Sequence, residues 1–206
     1  GHDVMHAITH ADHSIFALIR SLLTCPGHVA RDFVEGRRKR HFGPFAFLVI
    51  AVGLASAVIL LTGVQWFSPF KHGYADDVLQ RHVNLVILVQ MPLLAAFCAI
   101  LFRADHRSFA DHLVLAAYTS GLRALFLALV ETPVLAAIGA GTAQPWLTLV
   151  YFGVWSVCFG FAASQFYRGN RWWSAARAVG ATLLSQLVTV AALMAFLYIT
   201  TRLHGP

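Results

Sequence analysis

Histidine recurs at helical spacing at the start of this chain: His2, His6 and His10 stand four apart, and His13 follows three later. Two imidazoles so spaced project from one side of a helix and can grip a divalent metal, with zinc the first candidate. Asp3 and Asp12 could add oxygen ligands or orient a ring from behind. A second acid–histidine pair, Asp111-His112, follows far downstream. A composite centre of His6, His10, His13, Asp111 and His112 would suit a metal-dependent enzyme that hydrolyses or oxidises a lipid headgroup. Read plainly, the same stripe is the wet face of an amphipathic helix, and a pH-sensing face is a third reading. The histidines are too few for the repeated boxes of a membrane di-iron hydroxylase. None lies mid-span, so no haem is expected.

A different chemistry is carried by ionisable groups inside apolar sequence. Arg123 and Glu131 interrupt one long hydrophobic segment, and charge at membrane depth is costly enough to suggest either function or a buried pair. Eight residues separate them (131 − 123), about 12 Å of helical rise, too far for direct pairing on one helix. Each therefore needs a partner on another segment or a watery cavity. Gln90 and Gln186, with Gln165 and Ser185, are the polar residues available elsewhere in apolar sequence. Two readings fit: a cavity in which Arg123 holds a phosphate or carboxylate while Glu131 couples to protons, or hydrogen-bonded glue between helices.

The elements that must position these groups follow from composition. The chain has 206 residues, 58% hydrophobic and 12% charged, with a mean hydropathy of +0.68. Soluble domains carry about 25% charged residues, so the fold class expected is an all-α integral membrane protein. About five transmembrane helices are expected, over residues 45–67, 85–102, 112–138, 146–167 and 175–200. The second is short and holds Pro92, and the third carries Pro133 near its far end. Arg37 to Arg40, Arg103, Arg107, Arg168, Arg171 and Arg177 fall on one side of such a topology. The positive-inside rule then places the N-terminus in the cytoplasm and the C-terminus outside.

Residues 1–43 read as a cytoplasmic interfacial arm and residues 44–206 as the polytopic domain. Val4, Ile8, Ala11, Ile15, Ile19 and Leu22 share one face of an arm helix that Pro26 and Gly27 would end. A second short helix, from about His28 to Arg40, would carry the chain to the first span. Arg37, Arg38, Lys39 and Arg40 then suit anionic lipid headgroups. The net charge of +6 is concentrated at such flanks, so lipid rather than nucleic acid is the partner expected. Cys25, Cys98 and Cys158 form no C-x-x-C pair, which argues against a disulfide framework or a cysteine zinc site. The first twenty residues lack the basic-then-apolar layout of a cleavable signal peptide.

These motifs carry a resemblance. His6-x-x-x-His10, Asp12, Leu22-Leu23-x-x-Pro26-Gly27-His28, Glu35-Gly36-Arg37-Arg38-Lys39-Arg40 and Pro44 resemble an uncharacterised bacterial inner-membrane family, domain of unknown function 3667. Pro92 and Asp111-His112-Leu113-Val114 are similar to a later region of that family, with aspartate where glutamate is usual. The likeness extends over about the first 115 residues. It implies a membrane fold and draws attention to His6, His10, Arg37, Arg38, Arg40, Asp111 and His112, but it implies no reaction. Three functional expectations remain open. The first is handling of a lipid or small anionic solute, by transport or by presentation to a partner. The second is a metal-dependent enzyme at the cytoplasmic boundary, and the third is a scaffold subunit that assembles with copies of itself or with other membrane proteins.

Overall fold

The computed structural model describes residues 15–37, 42–64, 83–137 and 145–204. The expectations for His2, His6, His10, His13, Arg38, Lys39 and Arg40 lie outside the described residues. Every described element is helical. The order is α1 (Ile15–Thr24), then α2 (Pro26–Val34), α3 (Pro44–Thr62) and α4 (Val83–Leu101). A 3-10 turn at Arg103–Asp105 leads into α5 (Phe109–Phe126), which continues through a π turn (Leu127–Glu131) into α6 (Thr132–Ala137). The last two are α7 (Pro145–Phe166) and α8 (Arg171–His204).

Four stretches are long and apolar enough to cross a membrane: Pro44–Thr62, Phe109–Ala137, Leu149–Phe166 and Arg171–Thr200. The remaining expected span, on α4, has a shorter apolar stretch, Val86–Leu101. The packing suits lipid outside and close contact inside. Ala51, Ala55, Ala95, Ala116, Ala117, Ala124, Ala162 and Ala178 are fully buried, while Leu60, Leu61, Val89, Leu149 and Val157 are exposed. Small residues let helix backbones approach where lipid removes any hydrophobic drive to associate. At Gly121 an added Cβ would stand 2.7 Å from the Phe47 ring, so glycine sets the α3–α5 separation.

The Pro26-Gly27 pair does the opposite of what periodicity suggested. It opens α2 rather than closing α1, with Cys25 as the break between them. Proline suits a first helical turn because its missing N–H would lack an intrahelical partner there anyway. Gly27 is then pressed onto α7: a Cβ would collide with the Ala162 carbonyl and lie 2.6 Å from Gln165 Cβ. Its N–H donates to Gln165 Oε1 at 3.0 Å, in a buried contact. Helix α2 ends at Val34 rather than near Arg40, and it packs on α7 and α5. On α1, Leu18 and Leu22 are buried with Ile15 and Ile19 partly so, and Phe16 and Leu23 are exposed.

Candidate functional site

Arg123 is the midpoint of the stretch Phe109–Ala137. It meets α4, α7 and α8 through one hydrogen-bonded chain. Its Nε–H donates to Tyr151 Oη at 2.9 Å, and Nη1 donates to Gln90 Oε1, also at 2.9 Å. Gln90 Nε2 in turn donates to Gln186 Oε1 at 2.7 Å. The order is chemically forced: the guanidinium is donor-only, so it turns the Gln90 oxygen toward itself and the amide nitrogen toward Gln186. The guanidinium also lies 5.0 Å from the Tyr151 ring centroid and 5.2 Å from that of Phe152, within cation–π range.

The balance of this network is positive. Gln90 and Gln186 are buried, and no carboxylate reaches ion-pair distance of Arg123 among the described residues. Of the five guanidinium N–H groups, those on Nε and one on Nη1 have hydrogen-bond partners there. Gln186 Nε2, Ser185 Oγ and Trp155 Nε1 are buried without hydrogen-bond partners among the described residues. Unpartnered donors in a low-dielectric interior are expensive. Gln186 is joined to Arg123 through Gln90, so the guanidinium with spare N–H groups and one unpartnered amide donor belong to the same chain of contacts.

Glu131 completes the arrangement through a backbone irregularity. Pro133 has no N–H to donate, and its ring would clash with the Leu129 carbonyl in a regular helix. The turn widens instead, with Thr132 N–H bonded to the Leu127 carbonyl, five residues back. In a regular helix Glu131 would lie about 80° around from Arg123, but a π turn absorbs about one residue, or roughly 100°, and brings it onto nearly the same face. The two charges act on each other without pairing, and among the described residues Glu131 Oε2 is buried without a hydrogen-bond partner.

At the α2 end of the bundle the residues are engaged differently. Asp111 forms a capping box with Ser108: Ser108 N–H donates to Asp111 Oδ2 at 3.0 Å, and Asp111 N–H to Ser108 Oγ at 3.3 Å. His112 is buried with Nδ1 2.7 Å from Tyr167 Oη, and Tyr167 stacks on Phe102 with 3.6 Å between centroids. Helix capping and a buried hydrogen bond thus account for both residues of this acid–histidine pair. Among the described residues no three of histidine, cysteine, aspartate and glutamate converge to hold a metal. Arg37 is exposed and pairs with Asp32 at 3.0 Å.

Sequence reasoning missed the residues that fasten this end. Arg31 Nη2 and Nε donate to the Phe166 carbonyl at 2.7 and 3.1 Å, and Arg107 Nη2 to the same oxygen at 3.1 Å. Two cations on the last carbonyls of α7 oppose the negative end of its dipole. Burial first, then the neighbouring Arg31 charge, push the Arg107 pKa below its ordinary value. Tyr151 was also missed, since a tyrosine in an apolar segment gives no periodic signal. Tyr118 and Thr119, about one turn before Arg123, are engaged elsewhere: Tyr118 donates to the Phe42 carbonyl, and Thr119 to carbonyls of its own helix.

Neither the curated proteins nor the solved structures contain a match to the chain. The likeness drawn on Pro92 and Asp111 to Val114 falls outside the one segment that a family model covers. Residues 12–55 match the model of a protein of unknown function (DUF3667), so α1, α2 and the first part of α3 carry that family's sequence pattern.

Proposed function

We propose that this chain is a multi-pass protein of the bacterial inner membrane that binds a small anion, or the anionic headgroup of a lipid, at Arg123 and moves it or presents it to a partner. Helix α4 makes a fifth crossing in this reading, since its 19 residues rise about 28 Å, close to a hydrocarbon core. The N-terminus is cytoplasmic, because Arg31, Arg103, Arg107, Arg168, Arg171 and Arg177 gather at the α2 end. One observation carries the reading. A cation at mid-span is held by neutral partners and keeps unused donors beside the buried, unpartnered Gln186 Nε2. A purely structural arginine would be expected to meet a carboxylate or to use its donors up.

The test is flux into vesicles containing purified protein. Radiolabelled inorganic phosphate probes a soluble anion, and fluorescent phosphatidylglycerol probes a lipid. At least one should move faster than in empty vesicles, with a loss of roughly tenfold or more in Arg123→Gln, the scale of a lost charge-assisted contact, and partial retention in Arg123→Lys. Equal rates with and without protein for both probes would refute movement, and the absence of saturable binding of both probes as well would refute the reading.

A further inference from the structure

A second polar site lies at the α2 end, independent of Arg123. A cleft of about 420 Å³ is lined by Glu35, Ala104, Asp105, Arg107 and Arg168. That volume falls within the range of about 300–1,000 Å³ typical of small-ligand pockets. Its lining carries two cations and two carboxylates, which sum to zero. Arg168 and Glu35 form a loose pair at the rim, 3.9 Å apart, with Arg168 exposed.

The inner part is less satisfied. Arg107 is held in place by the Phe166 carbonyl and by the Phe166 ring, 4.2 Å beneath its guanidinium. Only Nη2 donates among the described residues, so further N–H groups remain for a ligand. Arg31 binds the same carbonyl, and two guanidiniums so placed repel each other. An anion beside Arg107 relieves that repulsion. Asp105 Oδ2, in the same lining, is buried without a hydrogen-bond partner among the described residues and calls for an N–H donor.

We propose that this cleft binds a zwitterion composed of a phosphate ester and a primary ammonium group. Arg107 and Arg168 take the phosphate, and Asp105 and Glu35 take the ammonium. A plain anion would meet two carboxylates, and a quaternary amine could not donate to Asp105. The chemistry is shared by the phosphatidylethanolamine headgroup and by free glycerophosphoethanolamine. The position favours neither deep lipid nor bulk water. The cleft adjoins the ends of α4 and α7 and the start of α5, and the exposed Trp172 and Trp173 stand one short turn beyond Arg168. Tryptophan at such a level marks the headgroup layer.

The experiment is native mass spectrometry of the full chain in detergent, offered phosphatidylethanolamine, phosphatidylcholine and phosphatidylglycerol of one acyl composition. Phosphatidylethanolamine should be retained at least tenfold over phosphatidylcholine. Asp105→Asn should bring that ratio near one while the protein keeps its thermal unfolding midpoint, and Glu35→Gln should lower it without altering the Arg103–Asp105 turn. Arg123→Gln should leave the ratio unchanged, which separates this site from the one at mid-span. Displacement by soluble glycerophosphoethanolamine assigns the site to a free solute, and retention in its presence assigns it to a membrane lipid. Equal retention of the ethanolamine and choline lipids, preference for phosphatidylglycerol, or an unchanged ratio in both variants would overturn the proposal.

Discussion

Replacing Gln90 with leucine tests whether Arg123 is a charge that its neighbours must hold. Gln90 accepts from Arg123 at 2.9 Å and donates to Gln186 at 2.7 Å, so the substitution removes two contacts at once. A hydrogen bond to a charged group contributes about 1.5–3 kcal/mol. A neutral bond between membrane helices averages about 0.6 kcal/mol, because the unfolded chain in lipid also finds partners. The leucine gains little in return, since its alternative environment is equally apolar. Gln90→Leu should therefore cost roughly 2–3.5 kcal/mol. In an Arg123→Met background the charge is gone, and the same change should cost only about 0.6 kcal/mol. Arg123→Met alone should cost about 1–3 kcal/mol, because it leaves the buried Gln90 oxygen without its donor. Reversible unfolding of all four proteins in mixed lipid–detergent micelles measures the coupling. A cost for Gln90→Leu that agrees within about 0.5 kcal/mol in the two backgrounds would show that the contact holds no charge, and the reasoning would fail.

Three further outcomes follow from the packing. Gly27→Ala should cost about 1–3 kcal/mol, because the new methyl must displace the α7 backbone rather than a flexible side chain; an unchanged unfolding midpoint would mean that α2 does not sit on α7 as described. Arg31→Met strips its donors from the Phe166 and Tyr167 carbonyls and should cost about 2 kcal/mol, with amide hydrogen exchange rising first in the last turn of α7. Pro133→Ala removes the cause assigned to the π turn, so an experimental structure of that variant should show regular i to i−4 bonding through residues 127–131. Persistence of the wide turn would place its cause elsewhere.

Much of the architecture was legible because hydropathy and helix length leave few alternatives in lipid. The positions of Arg123, Gln90 and Gln186 were legible as costly polar residues in apolar segments, and the structure joins all three. Their joining was not readable, because it depends on how α4, α5 and α8 rotate about their axes. Glu131 illustrates the same limit: its face is set by a π turn, which a strict 100° period misplaces by about one residue. Pro26-Gly27 was recognised as a break but assigned to the wrong helix, since proline stops one helix and starts another with equal ease. Arg31 and Arg107 were hidden because arginine beside a span reads as headgroup contact, whereas here both cap α7. Asp111-His112 drew attention as metal chemistry, and the local pattern Ser108-x-x-Asp111 could have signalled a capping box instead.

The central claim is that Arg123 offers free donors and a charge not engaged in an ion pair to an anion within the membrane span. Equilibrium binding of radiolabelled inorganic phosphate to the purified protein and to Arg123→Gln, with Arg107→Gln as a control at the other polar site, tests it most directly. Saturable binding with one site per chain, lost in Arg123→Gln and kept in Arg107→Gln, is the result expected. Binding that survives Arg123→Gln unchanged would contradict the claim.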